Sequence, residues 1–249
     1  MSSSAGLDAA SPAPLLVIVG PTAAGKSALA MRLAERHAVT IVSADSRQIY
    51  RGFDIGTAKP TATERAAVPH AGIDLVEPDH RYSAFAWARA AAEAIEAARS
   101  AGRLPVVVGG AGFYIRALVT PEPDAAAYDA RYLLVDPGPT LRTWIEQRVD
   151  AMFDAGWVDE VRALDAEVAE SAPAWQASGY GAVRDLVRGR ESTARARERI
   201  VIATRQYAKR QRTWFRHQLP GAQVTRIDPR DTGAVDLVLQ WAQQGGRRQ

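Results

Sequence analysis

Apolar residues along the chain follow two periods, and their alternation predicts parallel strands connected by helices. Short apolar runs predict strands at 15–19, 40–43, 73–76, 104–108 and 132–135. Apolar residues at helical spacing predict helices at 27–36, 83–101, 113–118, 141–155, 157–169 and 193–217. This order is typical of an α/β fold with a doubly wound parallel sheet and, here, a helical C-terminal part. Ligands of such folds bind at the carboxyl ends of the strands.

The composition narrows the class of protein. With 249 residues, 47% of them hydrophobic and 24% charged, the sequence predicts one globular domain at 14–244, a disordered tail at 1–13 and a frayed end at 245–249. It contains no cysteine, which excludes disulfides, thiolate metal sites and a cysteine nucleophile and favours the cytoplasm. No apolar segment approaches the roughly 20 residues that span a bilayer. We therefore expect a soluble protein without a membrane partner, by default a monomer.

A phosphate-binding pattern follows the first predicted strand. The segment fits G-x-x-x-x-G-K-[ST] and precedes a predicted helix, as in P-loop kinase-like α/β folds. Backbone N–H groups of such a loop point inward at a helix N-terminus, Lys26 reaches phosphate oxygens, and the Ser27 hydroxyl can ligate Mg²⁺. The pattern does not distinguish a nucleotide from another diphosphate. The predicted phosphate-binding residues are Gly20, Pro21, Thr22, Ala23, Ala24, Gly25, Lys26 and Ser27.

A basic segment lies in the last predicted helix. Between positions 195 and 216 there are eight basic residues and one acid, Glu198. Four basic residues share a narrow arc at about 100° per residue, opposite Ile200, Ala203, Tyr207 and Trp214. A solvated face is one explanation, but the lack of local counter-charges favours a polyanionic partner, either nucleic acid or a substrate's phosphates. The basic residues are Arg195, Arg197, Arg199 and Arg210, and, in the arc, Arg205, Lys209, Arg212 and Arg216.

Asp45 follows the second predicted strand, at the edge of the sheet where the phosphate loop is expected. Its carboxylate can ligate Mg²⁺, act as a general base, or cap a following helix. The neighbouring Ser46, Arg47 and Gln48 supply a hydroxyl, a guanidinium and an amide, a set suited to reading the edge of a base. These residues indicate an acceptor that is more than a bare phosphate.

Several segments together carry a resemblance to a known family. They are the phosphate loop, the run 43–60 (SADSRQIYRGFDIGTAKP), Pro69-His70 followed by Ile73-Asp74, the turn 109–114 (GGAGFY) and the segment 204–214 (TRQYAKRQRTW). With these segments in this order, the chain resembles the tRNA dimethylallyltransferase (isopentenyltransferase) family.

The resemblance implies a reaction and a set of roles. A dimethylallyl group would pass from dimethylallyl diphosphate to the exocyclic N6 amine of the adenosine 3′-adjacent to the anticodon, releasing diphosphate. Asp45 would be the base, Lys26 and Arg205 would be catalytic at the diphosphate, and Mg²⁺ would bind at Ser27. The anticodon loop of tRNA would contact Asp45, Ser46, Arg47, Gln48, Ala111, Lys209 and Arg212.

The chain departs from the family pattern at three places. Ala111 stands where threonine is usual, so no hydroxyl is available at that position. Only a short connection joins Leu118 to Tyr132, where family members usually carry a helical insert of several dozen residues that grips the anticodon arm. Trp144 stands where an arginine is common. We expect the missing insert to weaken RNA binding and make it more salt-sensitive, without changing the diphosphate pocket.

Two other functions stay open from the sequence. A P-loop small-molecule kinase would share the loop, the strand-end Asp45 and an arginine-rich lid, and would consume ATP without RNA. A degenerate family member would bind RNA or diphosphate without catalysis, although the retained Lys26, Ser27 and Asp45 argue against it. We expect packing roles for Trp144, Trp157, Trp175 and Trp214 and a structural role for His70, whereas Thr57 and Lys59 contact phosphate or RNA, or belong to a mobile surface loop.

Overall fold

The computed structural model describes residues 13–120 and 128–245, and a six-stranded parallel sheet forms its core. The order of the strands in the sheet is β3-β2-β4-β1-β5-β6, and all neighbouring pairs are parallel. The predicted tails lie, apart from Ala13 and Gly245, outside the described residues. The strands are β1 (Ala13–Val19), β2 (Val39–Ala44), β3 (His70–Ala71), β4 (Leu104–Gly109), β5 (Tyr128–Val135) and β6 (Val224–Ile227).

Helices cover both faces of the sheet. Successive residues of β1 point to opposite faces, yet Val17, Ile18 and Val19 are all fully buried. This confirms the predicted doubly wound α/β fold. No helix within 13–120 or 128–245 is long and apolar enough to cross a membrane. The helices are α1 (Lys26–Ala34), α2 (Ala62–Ala67), α3 (Ala84–Ser100), α4 (Gly112–Val119), α5 (Leu141–Asp154), α6 (Trp157–Glu167), α7 (Tyr180–Val187), α8 (Thr193–Gln218) and α9 (Ala234–Gly245).

The register of the central strands brings the candidate site residues to one edge. Gly109 at the end of β4 lies beside Val19 of β1 and Ala44 of β2. The chain therefore leaves these three parallel strands at the same level, into the phosphate loop, Asp45 and the Gly109-Gly110 turn. The expectation that these segments meet at the carboxyl edge is confirmed.

The two edges of the sheet differ from the prediction. The strand predicted at 73–76 is wrong: β3 lies at His70–Ala71, and 73–76 contributes one isolated bridge between Val76 and Tyr50. The prediction that no strand follows β5 is also wrong, because β6 pairs with β5. Both edge strands are short and contain polar as well as apolar residues. They form because they pair with a neighbouring strand, and no apolar run in the sequence marks them.

An aromatic cluster connects the segment after β2 to the helical part. The Phe53 ring lies 4.7 Å from Tyr180 and 5.1 Å from Trp175, and Trp157 lies 5.4 Å from Tyr180, between ring centroids. All four side chains are buried. This confirms packing roles for Trp157 and Trp175, and it fixes the segment from residue 53 onward against α6 and α7. Trp214, expected in the core, is only partly buried, with its ring against Gly112.

Gly179, which precedes α7, provides a test of this cluster. Its φ is +91°, and a Cβ there would lie 2.3 Å from the Trp157 ring. Gly189, just beyond the same helix, has φ +69° and open space around it. We expect Gly189→Ala to lose about 1 kcal/mol through backbone strain and Gly179→Ala to lose about 1–3 kcal/mol more through the clash. Urea unfolding checks this, and equal losses would contradict the packing described.

Candidate active site

The phosphate loop joins β1 to α1 and is closed by its own lysine. The Lys26 ammonium donates a hydrogen bond to the Pro21 carbonyl at 2.7 Å, and the Ala24 N–H donates to the same oxygen at 3.3 Å. Gly25, at φ +87°, turns the chain into α1, and no side chain caps that helix. Unsatisfied N–H groups at a helix N-terminus attract anions. The geometry therefore has the features of a phosphate cradle.

Gln211 of α8 clamps this loop to the Gly109-Gly110 turn. Its Oε1 accepts a hydrogen bond from the Thr22 N–H at 2.7 Å, and its Nε2 donates to the Gly110 carbonyl at 3.0 Å. The side chain is only 7% exposed, and a Cβ on Gly110 would lie 2.2 Å from its nitrogen. Gln211 was not among the predicted site residues. The available signal was an amide at helical spacing between Ala208 and Phe215, both on the buried face.

Asp45 lies directly after β2 and does not cap a helix. Its Oδ1 accepts a hydrogen bond from the Arg47 N–H at 2.8 Å, which forms an Asx turn in the non-helical segment that follows. The helix-cap alternative is therefore wrong. The hydrogen bonds of the described residues leave its second oxygen open to a metal ion or to a proton.

Two cavities meet at Asp45. A cleft of about 760 Å³ contains the phosphate loop, and an adjoining cavity of about 60 Å³ lies toward α5 and α8. Thr22, Asp45 and Arg148 line both of them. Arg47 and Tyr207 line only the smaller cavity. The carboxylate thus stands at the boundary between the cleft of the phosphate loop and a second, smaller space.

Positive charge exceeds negative charge at this boundary. Burial, and after it the Arg148 guanidinium, lower the pKa of Lys26 to about 7, against the opposing effect of the Asp45 carboxylate. Burial also lowers the pKa of Arg148, again opposed by Asp45. Two cations beside one carboxylate leave the cleft short of negative charge, so an anion there would stabilise both cations.

The residues after Asp45 differ in whether their side chains bind other parts of the protein. Gln48 accepts a hydrogen bond from the Ser43 hydroxyl at 2.7 Å and donates to the carbonyls of Thr57 and Ala58 at 3.1 and 2.9 Å. Its amide therefore holds the segment around Thr57 against β2, and it would have to release those carbonyls to read a base. Ser46 and Arg47 are half-buried.

The Lys59 side chain is buried and binds other residues of the protein. Its ammonium donates to the Tyr50 carbonyl at 2.5 Å, to Asp54 at 2.6 Å and to Asp74 at 2.5 Å, and its side chain is 1% exposed. Thr57 is buried too and donates to the Phe53 carbonyl at 2.6 Å. The surface-loop alternative for these two residues is therefore wrong. His70, on β3, lies with its Nδ1 2.7 Å from the Val68 carbonyl, which fits the structural role expected of it.

Acidic residues from other parts of the chain form ion pairs with several arginines of the basic helix α8. Arg205 pairs with Glu146 through a terminal guanidinium nitrogen, and its buried Nε has no hydrogen-bond partner among the described residues. Arg212 binds both carboxylate oxygens of Asp136, at 2.9 and 2.5 Å. The expectation that the run lacks counter-charges is thus wrong at four positions, because acids distant in sequence neutralise it. The pairs are Arg197 with Asp150, Arg199 with Asp185 and Glu191, Arg205 with Glu146, and Arg212 with Asp136.

The remaining predicted residues have varied positions. Lys209 is exposed and forms no ion pair with residues 13–120 or 128–245, so its charge is available to a partner. Ala203, expected on the packed side of α8, is exposed. Ala111 is partly buried at the start of α4, and its N–H donates to the Ala44 carbonyl at 3.0 Å. Arg205 lines neither of the two cavities described above.

Substituting Gln211 tests the clamp. We expect Gln211→Glu to keep the bond from Thr22 but to face the Gly110 carbonyl with a second acceptor. The cost is about 1–3 kcal/mol of stability, and the added negative charge weakens binding of inorganic diphosphate about 10-fold or more. Unfolding in urea and titration calorimetry measure the two effects. Gln206→Glu, exposed on the same helix, is the control; matching losses in both variants would rule out the clamp.

Family models match most of the chain. A model described as IPP transferase matches residues 48–131 and 119–218, and one described as isopentenyl transferase matches residues 13–69. The two segments of the first match overlap at 119–131, a range that includes the short connection between α4 and β5.

Curated relatives agree with these models. A tRNA dimethylallyltransferase of Halorhodospira halophila is 38% identical over 291 residues, which cover 87% of this chain and 94% of the relative. One of Deinococcus radiodurans is 35% identical over 288 residues, again covering 87% and 94%. Since 87% of 249 residues is about 217, about 74 of the 291 positions in the first alignment have no counterpart in this chain.

Solved structures show the same fold. The chain is similar to a tRNA delta(2)-isopentenylpyrophosphate transferase of Staphylococcus epidermidis, with a TM-score of 0.80, 26% identity, and coverage of 93% of this chain and 99% of the other. It is also similar to a tRNA isopentenylpyrophosphate transferase of Bacillus halodurans, with a TM-score of 0.80, 28% identity, and coverage of 93% and 96%. The sheet, the phosphate loop and these matches identify the chain as a member of the IPP transferase family.

Proposed function

We propose that this protein transfers a dimethylallyl group from dimethylallyl diphosphate to the N6 amine of the adenosine 3′-adjacent to the anticodon of tRNA, releasing diphosphate. The position of Asp45, between the cleft of the phosphate loop and the smaller cavity, carries this proposal. A base between two cavities can serve two substrates that meet there. The names of the curated relatives support the same reaction.

The larger cleft suits the donor. As the allylic C–O bond breaks, negative charge accumulates on the departing diphosphate, and fixed donors aimed at that charge lower the barrier. The loop N–H groups and Lys26 are such donors. The loop therefore binds a leaving group and has no need of ATP.

Mg²⁺ fits this site only with help from the substrate. Among the described residues no group of three or more histidines, cysteines or acids could hold a metal ion. Ser27 and Asp45 both line the cleft, and Mg²⁺ in phosphate sites is commonly held by one or two protein oxygens together with phosphate oxygens and water. Ser27 would hold the ion, which when bound would neutralise charge on the diphosphate, while Asp45 keeps its open oxygen for the amine proton.

The smaller cavity suits the adenine. A nucleobase that is stacked within the anticodon loop cannot reach an enclosed carboxylate. The adenosine must therefore be flipped out of the stack. The phenol of Tyr207 and the guanidinium of Arg47 line this cavity and provide polar contacts for the base. Asp45 is then within reach of both the amine and the allyl carbon.

The bond changes balance around Asp45. The amine nitrogen forms a bond to the allylic carbon while the carbon–oxygen bond breaks, and the electron pair of that bond leaves with diphosphate. One amine proton passes to the Asp45 carboxylate. Arg205 would clamp the diphosphate only after exchanging Glu146 for a phosphate oxygen, since the two side chains are paired in this structure.

We also propose that the RNA is held mainly by the surface around α8. Only residues 120–127 join α4 to β5, and the overlapping family match supports the loss of an insert at this point. Fewer phosphate contacts remain for the anticodon arm, so each of them carries more of the affinity. Lys209 is a candidate contact, whereas Arg212 could contact RNA only in addition to Asp136.

Asp45→Asn tests the assignment of the base. With Mg²⁺, labelled dimethylallyl diphosphate and unmodified tRNA, we expect the rate of label transfer into RNA to fall about 10²–10⁴-fold, because the amide cannot take the proton. Binding of inorganic diphosphate should persist. Asp79→Asn, at an exposed position, is the control. Wild-type transfer by Asp45→Asn would refute the assignment, and ATP consumption by the wild-type protein without RNA labelling would instead support the kinase.

Lys209→Ala tests the RNA surface. We expect weaker tRNA binding and a reduction of about one in the slope of log affinity against log salt, with the rate at saturating tRNA unchanged. Filter binding at several salt concentrations measures the slope. Arg195→Ala is the control, because Arg195 is exposed on the same helix about 21 Å away, at 1.5 Å per residue. An unchanged slope in Lys209→Ala would exclude a phosphate contact there.

A further inference from the structure

We propose that Arg148 is a second cation of the donor site and binds the diphosphate group directly, together with Lys26 and the loop N–H groups. Arg148 was not among the residues singled out in the sequence. The inference rests on the proposed function, because it names the residue that recognises the diphosphate of the same donor.

The position of Arg148 on α5 directs it into the cleft. Ile145, Val149 and Met152 form the buried stripe of that helix, and Arg148 lies within the stripe at helical spacing. A basic residue within a packed stripe is half-buried rather than solvated. Since Arg148 lines both the large cleft and the smaller cavity, it lies where the two proposed substrates meet.

Arg148 differs from its neighbours in having no protein partner within the described ranges. Arg197 pairs with Asp150, Arg205 with Glu146 and Arg212 with Asp136. No hydrogen bond or ion pair joins Arg148 to residues 13–120 or 128–245. The fold thus uses the charges of three nearby arginines and leaves this one free in the cleft.

The electrostatics of the cleft favour an anion beside Arg148. Burial disfavours the charged form of its guanidinium, and its like charge in turn disfavours the charged form of Lys26. The single carboxylate of Asp45 opposes them. A diphosphate carries more than one negative charge, and its oxygens match the planar donors of a guanidinium in two parallel bonds.

The alternative is that Arg148 acts only through Asp45, by orienting the base. The two roles predict different effects of Arg148 on diphosphate affinity once Asp45 has been replaced. A group that binds diphosphate still contributes affinity when Asp45 is replaced by asparagine, whereas a group that only orients the carboxylate contributes none. A double-mutant cycle therefore separates them.

The experiment measures the affinity of inorganic diphosphate with Mg²⁺ by titration calorimetry on the full chain. We expect Arg148→Gln to bind about 10- to 100-fold more weakly than wild type, the loss of one charge-assisted contact. Arg148→Lys should fall between them, because it keeps the charge but not the paired donors. Arg142→Gln, exposed six residues earlier on α5, should stay within about twofold of wild type.

Three results would overturn the proposal. These are wild-type affinity in Arg148→Gln, a loss that vanishes in the Asp45→Asn background, or, should Arg148→Gln not fold, wild-type affinity in Arg148→Lys. A matching rise in KM for dimethylallyl diphosphate would support it in the transfer assay. The proposed function fails separately, if the wild-type protein labels no tRNA while its diphosphate affinity still depends on Arg148.

Discussion

Two hydrogen bonds from one amide connect the parts of this site. The long helix α8 has no sheet hydrogen bonds of its own to fix its depth, yet Gln211 binds both the phosphate loop and the Gly109-Gly110 turn. An amide can accept from the Thr22 N–H and donate to the Gly110 carbonyl with one planar group, which a carboxylate or an alkyl side chain cannot do. Because the bond to Gly110 is buried and the bond from Thr22 is partly buried, a shift of α8 would leave polar groups unsatisfied. Tyr207, one turn earlier, is thereby held at the smaller cavity.

The arginines of the helical part have two roles: some form ion pairs within the protein, and one lies at the cleft without an ion pair to any described residue. Those of α8 that pair with acids, such as Arg212 with Asp136, tie the end of β5 to the helix. Such partly exposed pairs contribute little to stability individually, but they fix where the helix lies. Arg148 and Lys26 remain beside Asp45 at the cleft. The local excess of positive charge in the sequence is therefore a poor guide to the site, and the charges that matter there come from α5 and the phosphate loop.

Local patterns predicted the parts of the fold that are locally determined. Local sequence is enough to identify the apolar strands β1, β2 and β4 and the glycine-rich loop. The parallel topology then brings Asp45 and Gly110 to one edge of the sheet. The edge strand β6, the counter-charges such as Glu146 and the clamp of Gln211 depend on partners distant in sequence. No period or local charge count contains that information, so these features appeared only in the structure.

The short connection between α4 and β5 bears differently on the two substrates. The described residues that line the donor cleft include those of the phosphate loop, Asp45, the Gly109-Gly110 turn, α5 and Gln211. On our proposal, the loss of an insert at this point removes surface that would contact RNA and leaves these lining residues in place. Since affinity for RNA depends on the number of neutralised phosphates, whereas the barrier to transfer depends on charges held in the cleft, the two properties separate in this chain. We therefore expect this chain to keep the chemistry of transfer while recognising its RNA through fewer contacts.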